Sequence, residues 1–132
     1  MGIVNYLLDT HILLWSANDS RKLSDDVKNV IKNTDVQLFV STVSAYEITN
    51  KYRIGRLPGY ENVMKNYFDI LHKFGVYELP VNMKHAYLAG KFEWFHRDPF
   101  DRFLAAQAYI ENLVLITNDV VFHSLPWVSV FW

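Results

Sequence analysis

The sequence contains no cysteine, so a disulfide framework and thiolate metal ligands are both excluded. Its apolar runs are far shorter than the ~18 residues that indicate a membrane-spanning helix. The N-terminus shows no basic region followed by a long apolar stretch and a cleavage site. These absences lead us to expect a soluble, cytoplasmic protein with no membrane partner.

An excess of charge of one sign is also missing. The formal net charge is -1 at pH 7, which argues against broad electrostatic coating of nucleic acid, although a local basic patch could still hold a phosphate chain. Repeats, low-complexity segments and linkers are absent too. With 132 residues, of which 51% are hydrophobic, the chain is predicted to form a single domain over residues 1–132 with a substantial core.

The apolar residues form near-continuous segments that alternate with helical segments. The predicted strands are Ile3 to Leu8, Gln37 to Ser41, Val76 to Val81 and Leu113 to Ile116, with a shorter fifth at Trp127 to Phe131. Strands of this kind are buried on both faces and are typical of parallel sheets covered by helices. We therefore predict an α/β fold, a three-layer α/β/α sandwich with a four- to five-stranded parallel sheet.

The connecting segments are predicted to be helical, with starts and stops at capping residues. The predicted helices are Ile12 to Trp15, Asp25 to about Lys32 after Ser24, Ser44 to Ile54 before Gly55, Tyr60 to Phe74, Asn82 to Lys91, and Pro99 to about Asn112. In the last of these, Asp98 is a good N-cap and Asp101 falls in the first turn, where the helix dipole favours a negative charge. That account of the two acids requires no function.

Four isolated carboxylates can nevertheless be placed at one edge of the sheet. Asp9 ends the first strand, Glu47 lies in the first turn of the helix after the second, and Asp119 directly follows the fourth. Right-handed crossovers bring these positions to the edge where ligands bind. Asp101 joins them if the loop from Phe92 to Asp98 returns the chain to that edge, and seven extended residues can span roughly 23 Å.

Crowded carboxylates repel one another unless they are protonated or neutralised by a hard divalent cation. Oxygen ligands without cysteine favour Mg²⁺ or Mn²⁺ over zinc. One or two such ions could activate a water and stabilise the leaving oxygen of a phosphodiester.

Four motifs then occur in order along the chain. They are Leu7-Leu8-Asp9-Thr10-His11, Val40-Ser41 with Ala45-Tyr46-Glu47-Ile48, His96-Arg97-Asp98-Pro99-Phe100-Asp101-Arg102, and Ile116-Thr117-Asn118-Asp119. In this order and spacing the sequence resembles PIN-domain ribonucleases over nearly its whole length, in particular the VapC-type toxins of bacterial toxin–antitoxin pairs. One departure is Tyr46, where close relatives are expected to carry tryptophan.

The resemblance implies metal-dependent endonucleolytic cleavage of RNA. It implies that Asp9, Glu47 and Asp101 are catalytic acids and metal ligands, with Asp119 as the fourth. It also implies a homodimer and a neutralising antitoxin that inserts a segment into the site.

Several polar residues near these acids are candidates for substrate binding, each with a structural alternative. The candidates are Thr10, Lys51, Arg53, Arg97, Arg102 and Thr117. Threonine hydroxyls at strand ends often serve only as caps, and the two arginines around Asp101 could be solvated charges instead of bidentate phosphate ligands. The cationic side chains near the end of the Glu47 helix, which include Arg56, form either a short basic track or an ordinary polar face.

The acids have structural alternatives as well. Glu47 could form a solvated ion pair with Lys51, four residues on, and Asp119 could cap the turn that follows it. Asp98 is assigned to capping. His11 could act as a base, but a histidine near the top of a core is usually a hydrogen-bonded structural residue.

Two other functions remain open from the sequence. A phosphatase of the haloacid-dehalogenase type would use Asp9 as its nucleophile, but it usually carries a second aspartate two positions later, where this chain has His11. A catalytically silent module that only binds a partner would not need all four acids.

Overall fold

A computed structural model describes residues 3–132 of the chain, so residues 1 and 2 of the predicted domain lie outside it. Its five strands are β1 (Tyr6–Leu8), β2 (Leu38–Ser41), β3 (Tyr77–Leu79), β4 (Val114–Ile116) and β5 (Val130–Phe131). They form one sheet in the order β3-β2-β1-β4-β5, and every neighbouring pair is parallel. Each strand lies within the range predicted for it, and the predicted parallel sheet is confirmed.

Seven α-helices surround the sheet in the described part of the chain. They are α1 (Thr10–Asn18), α2 (Asp25–Lys32), α3 (Thr42–Arg53), α4 (Glu61–Lys65), α5 (Tyr67–Phe74), α6 (Met83–Lys91) and α7 (Pro99–Ile110). Short 3-10 turns occupy Ser20–Lys22 and Val120–Ser124. None of the helices in residues 3–132 combines the length and apolarity of a membrane-spanning segment.

The core has two halves, one on each face of the sheet. On one face, Leu8 packs with buried residues of α1 to α5. On the other, Leu7 packs with Leu104 and neighbouring residues of α7 and β4. Because successive side chains of β1 enter opposite halves, the strand must be apolar at both positions. The three-layer α/β/α sandwich is therefore confirmed.

Local capping chemistry sets most helix starts. The Ser24 hydroxyl accepts a hydrogen bond from the Val27 amide (3.1 Å) at the start of α2. At α6, the Asn82 side chain accepts from the His85 amide (3.0 Å), and His85 Nδ1 accepts from the Asn82 amide (3.1 Å). Such reciprocal bonds satisfy donors that the first helical turn leaves free.

The predicted start of α3 at Ser44 is wrong. The helix begins at Thr42, and its N-cap is Ser41, whose hydroxyl accepts from the Val43 amide at 3.1 Å. Ser44 is instead buried inside the helix, where its hydroxyl bonds that of Thr10 at 2.8 Å. As a result Glu47 lies in the second turn of α3, not in the first.

The single helix predicted from Tyr60 to Phe74 is also wrong, because it is interrupted at Asn66. The Asn66 backbone has φ -119° and ψ 24°. Its side-chain amide donates to the Asn62 carbonyl (3.1 Å) and to Asn62 Oδ1 (2.8 Å). Asparagine side chains that bond nearby backbone groups compete with helical hydrogen bonding, so α4 and α5 are separate. The predicted first helix, Ile12 to Trp15, is too short, because α1 extends over Thr10–Asn18.

Candidate functional site

A cavity of about 280 Å³ brings the four predicted acids together at the carboxyl edge of the sheet. Asp9 lies between β1 and α1, Glu47 on α3, Asp101 in the first turn of α7, and Asp119 just after β4. The loop before α7 does return the chain to this edge, because Asp101 lines the same cavity as Asp9. Asp98 lines it too.

Asp9 is held on both of its oxygens. Oδ1 accepts from the Thr10 amide (2.7 Å), and Oδ2 accepts from the Thr117 hydroxyl (2.7 Å) and lies 3.3 Å from His11 Nδ1. The residue is only 4% exposed. Burial raises the pKa of Asp9 above its usual range and nearby Glu47 adds to this, against the lowering effects of His11, Thr117 and Thr10. Ionised Asp9 is therefore costly without a compensating cation.

Asp101 shows the same effect. Burial, helped by the negative charges of Asp9 and Asp98, raises the pKa of Asp101 to about 7, although its contact with His96 opposes the rise. His96 Nε2 lies 2.6 Å from Asp101 Oδ2. Near neutral pH this carboxyl group is thus poised between its protonated and ionised forms.

Glu47 is paired with Lys51. Lys51 Nζ donates to Glu47 Oε2 at 2.6 Å, and both residues line the cavity. The pair is not the solvated one considered from the sequence, because the Glu47 side chain is only 7% exposed. Tyr46, which replaces the expected tryptophan, is exposed and packs near Phe100, with ring centroids 5.9 Å apart. The substitution leaves Glu47 in the cavity.

Asp98 acts as an N-cap, as predicted, and Asp119 also acts as one, which is the structural alternative considered for it. Asp98 Oδ1 accepts from the Phe100 amide (2.9 Å) and the Asp101 amide (3.3 Å) at the start of α7. Asp119 Oδ1 accepts from the Val121 amide at 3.1 Å. Only the Oδ1 atom of each residue takes part in the cap, so capping and a place in the cavity are compatible.

One group of three possible metal ligands lies closer together than the rest of the site. Ligand atoms of His96, Asp98 and Asp101 all lie within 4.8 Å of one another. This group shares only Asp101 with the predicted ligand set. His96 was missed by sequence reasoning because it reaches Asp101 from the preceding loop, where no helical or strand period links the two positions.

The two predicted threonines hold the site together. Thr117 bonds Asp9 and also accepts from the Asp119 amide at 3.0 Å, whereas Thr10 bonds Ser44. Both threonines are buried. The Thr117 hydroxyl therefore orders Asp9, whereas the Thr10 hydroxyl joins α1 to α3 and only the Thr10 amide contacts Asp9. These are structural roles of the kind considered for both threonines, and substrate binding by them remains a prediction.

The cationic side chains predicted to bind substrate do not all lie at the cavity. Lys51 lines the cavity, whereas Arg53 donates to Asn50 Oδ1 at 2.6 Å and Arg97 is exposed. Neither arginine is among the described residues that line the cavity. A role for them in substrate binding remains a prediction.

Arg102 makes structural contacts with the end of α6, and the phosphate contact considered for it remains a prediction. Its Nε donates to the Ala89 carbonyl at 2.7 Å, a terminal nitrogen donates to the Phe92 carbonyl, and the guanidinium carbon lies 4.2 Å from the centre of the Phe92 ring. These contacts join the first turn of α7 to the end of α6. They hold the returning loop that places Asp101.

His11 bridges two parts of the site. Its Nε2 lies 2.7 Å from Asn118 Oδ1, while Nδ1 faces Asp9. Because each ring nitrogen has a protein neighbour, this geometry accords with the structural role considered for His11.

Fold and site together define a parallel α/β/α domain with a carboxylate-lined cavity at the carboxyl edge of its sheet. The chain belongs to the PIN domain family, whose sequence model matches residues 6–128. No curated protein sequence matches it significantly.

Several solved structures are similar to this chain. DNA-bound VapBC from Salmonella typhimurium matches with a TM-score of 0.74 and 16% identity, covering 98% of each chain. VapBC-1 from nontypeable Haemophilus influenzae matches with a TM-score of 0.71 and 21% identity over 97% of each chain. A toxin–antitoxin complex from Klebsiella pneumoniae matches with a TM-score of 0.62 and 18% identity over 96% of each chain. At these identities the likeness establishes the fold.

Proposed function

We propose that this chain is a metal-dependent endoribonuclease that cleaves RNA phosphodiester bonds with a metal-activated water, and that it is the toxin of a toxin–antitoxin pair. The observation that carries the proposal is the convergence of four acids from four separate segments on one cavity in a PIN-domain chain. Similar chains occur in VapBC and toxin–antitoxin complexes, which supports the toxin role. The proposed nuclease domain spans residues 1–132.

The donor set fits Mg²⁺ or Mn²⁺. Asp9, Glu47, Asp101 and Asp119 offer only carboxylate oxygens, which hard cations prefer. Burial raises the pKa of Asp9 and of Asp101, so uncompensated negative charge is unfavourable in this cavity, which supports the proposal of a cation there. When bound, such an ion supplies Lewis-acid activation of water and neutralises charge on the phosphate.

Neighbouring residues fix the orientation of these acids. Thr117 and the Thr10 amide fix the orientation of the Asp9 carboxylate. His96 holds one oxygen of Asp101. Lys51 lines the cavity and places a positive charge there, which supports its assignment to substrate binding. Groups held in this way need little rearrangement when substrate binds.

The proposal includes a cytoplasmic homodimer and a cognate antitoxin. Large apolar side chains are exposed on the surface, including Phe68 at 80% and Met83 at 84%. Exposed apolar side chains of this size are compatible with protein contacts. Light scattering on the purified chain tests the dimer, and co-expression with the product of the adjacent gene tests the antitoxin.

The test of the nuclease compares three variants that differ only in which carboxylate is made neutral. Asp9→Asn and Asp101→Asn should each abolish Mn²⁺-dependent cleavage of RNA. The matched control is Asp25→Asn, because the Asp25 side chain is 97% exposed and should leave activity intact. Circular dichroism verifies that all three variants are folded.

An active Asp9→Asn, Asp101→Asn double variant would refute the assignment of these acids. Trapping a phosphorylated Asp9 during turnover of a phosphomonoester would indicate the phosphatase instead. If millimolar Mn²⁺ does not stabilise the wild-type protein, the silent partner-binding module becomes the better description, since a ligand of the native state must raise its stability.

A further inference from the structure

We propose that Lys51 is an exchangeable counter-charge: it neutralises Glu47 in the metal-free protein, and it is released to a phosphate of RNA when a divalent ion takes its place. This inference rests on the proposed ribonuclease function and deepens it. Binding of the ion and binding of RNA would then depend on each other through one side chain.

Lys51 is held in place by a single polar contact. Its Nζ donates to Glu47 Oε2 at 2.6 Å, and Glu47 is the one hydrogen-bonding partner of Lys51 among residues 3–132. The two residues lie four apart on α3, with the acid nearer the start of the helix, a spacing and order in which such side chains meet on one helix face. Loss of this contact therefore frees the lysine head group completely.

The two partners differ in their access to water. The Glu47 side chain is 7% exposed, whereas the Lys51 side chain is 39% exposed. A buried carboxylate requires a cation beside it, but a partly exposed ammonium group on a flexible four-carbon stem can turn towards solvent. Glu47 thus needs a positively charged neighbour more than Lys51 needs a negatively charged one.

The charge of the cavity favours the exchange. The lining contains five carboxylates, namely Asp9, Glu47, Asp98, Asp101 and Asp119. Lys51 is the only lysine or arginine among the described residues that line the cavity. One ammonium charge cannot balance this set, whereas a divalent ion held by several carboxylate oxygens neutralises more of it. Such an ion on Glu47 would also repel Lys51, because both are positively charged.

A released Lys51 has a suitable partner in the phosphate chain of RNA. The acids of the cavity repel phosphate, and an ammonium group that is no longer bonded to an acid offsets this repulsion. Ammonium groups also form charge-assisted hydrogen bonds with phosphate oxygens. Because coupling between two ligands is reciprocal, RNA that draws Lys51 away from Glu47 should tighten binding of the ion by the same factor.

The first experiment measures Mg²⁺ binding by calorimetry in the absence of RNA. Lys51→Met removes the competing charge and should bind Mg²⁺ about 5- to 150-fold more tightly than the wild type, the usual range for coupled sites. Lys51→Arg should bind Mg²⁺ less tightly than the wild type, because a guanidinium group can hold a carboxylate through two parallel hydrogen bonds. A lysine with a purely structural role would not shift the affinity in opposite directions.

Lys28→Met is the matched control for this experiment. The Lys28 side chain is 34% exposed and its Nζ lies 3.9 Å from Oδ1 of Asp25, whose side chain is 97% exposed. Lys28 therefore resembles Lys51 in exposure but pairs with a solvated acid. Its replacement should leave the affinity for Mg²⁺ unchanged.

NMR of the lysine ammonium groups observes the exchange in the wild-type protein, so this test does not depend on the folding of any variant. In EDTA the Lys51 signal should be shifted by the hydrogen bond to Glu47, and Mg²⁺ should move it to the position of an exposed lysine. The Lys28 signal should stay where it is. A Lys51 signal that does not move when Mg²⁺ binds would overturn the inference, because the ion and Lys51 would then share Glu47.

Fluorescence anisotropy measures the coupling to RNA. The probe is an RNA oligonucleotide with phosphorothioate linkages, which resist hydrolysis. Mg²⁺ should tighten binding of this probe to the wild type, and the factor should fall about 5-fold or more in Lys51→Met. Lys51→Arg keeps the positive charge and should retain most of the coupling. An equal factor in the wild type and Lys51→Met would contradict the inference.

The outcomes separate this inference from the proposed function. If the wild type binds Mg²⁺ and cleaves RNA but Lys51→Met has an unchanged affinity for Mg²⁺, only the role of Lys51 is refuted. If the wild type binds Mg²⁺ and releases Lys51 but does not cleave RNA, the nuclease is refuted and the exchange at Glu47 stands. Absence of Mg²⁺ binding in both the wild type and Lys51→Met would refute both.

Discussion

Replacing Asp101 by asparagine should stabilise the metal-free protein and remove its response to metal. In the folded chain the pKa of Asp101 is about 7, compared with an ordinary value of 3.8. At 1.36 kcal/mol per pKa unit, this difference means that ionised Asp101 lowers the free energy of unfolding by about 4 kcal/mol above pH 7, relative to a carboxyl group with an unshifted pKa. Asparagine is neutral and can still contact His96, so Asp101→Asn should raise the free energy of unfolding at pH 8 by ~2 to 4 kcal/mol.

The pH dependence has a defined sign. A carboxyl group whose pKa is raised by folding binds a proton in the folded state at pH values where the unfolded state has lost it. For Asp101 this window runs from about 7 down to 3.8, so the group favours folding at low pH and this advantage is lost as the pH rises through 7. Between pH 8 and pH 5.5 it should contribute about 2 kcal/mol to the wild-type protein. The advantage of Asp101→Asn should shrink by that amount.

The assay is urea unfolding in EDTA at both pH values, followed by addition of Mn²⁺. Metal at 100 times its Kd should stabilise the wild-type protein by about 2.7 kcal/mol, but should not stabilise Asp101→Asn. Asp25→Asn, at a site with 97% side-chain exposure, should behave like the wild type throughout. The reasoning is refuted if Asp101→Asn is the less stable protein at pH 8, or if its advantage is the same at both pH values.

Three other changes probe the remaining contacts of the site. Lys51→Met removes the charge that neutralises buried Glu47, so the protein in EDTA should lose about 1–3 kcal/mol of unfolding free energy. Addition of Mn²⁺ should then stabilise this variant more than it stabilises the wild type. An unchanged melt would show that the pair of Lys51 and Glu47 does not contribute to stability. His96→Leu removes a hydrogen bond to a proposed ligand, Asp101, and should weaken Mn²⁺ binding about 10- to 100-fold in calorimetry with no change in the circular dichroism spectrum. Equal affinity would exclude this orienting role. Arg102→Lys removes the planar guanidinium group that donates to two carbonyl oxygens near the end of α6. Urea unfolding should therefore show a loss of roughly 1–3 kcal/mol in the free energy of unfolding. No loss would mean that these hydrogen bonds are dispensable.

Most of the fold was predictable because its signals are local. Near-continuous apolar segments favour burial on both faces, which a covered parallel sheet provides. Caps such as Ser24 and Asn82 act within a few residues of their own position. The errors at Ser44 and Asn66 arose where several polar residues compete for nearby backbone groups, because the outcome then depends on distant partners such as Thr10.

The positions of the acids followed from the sequence because strand order and crossover hand bring strand ends to one edge. The sequence by itself therefore determined the sheet and brought Asp9, Glu47 and Asp119 to one edge of it. The tertiary structure decided that the loop before α7 returns to this edge and adds Asp98 and Asp101 to the cavity. Only the tertiary structure decided how deeply Asp9 and Asp101 are buried, and hence the raised pKa values of both. It also decided that Arg102 anchors a loop and that Trp15 lines the same cavity as the acids. These properties depend on distances between segments far apart in the chain, which no local pattern of residues encodes.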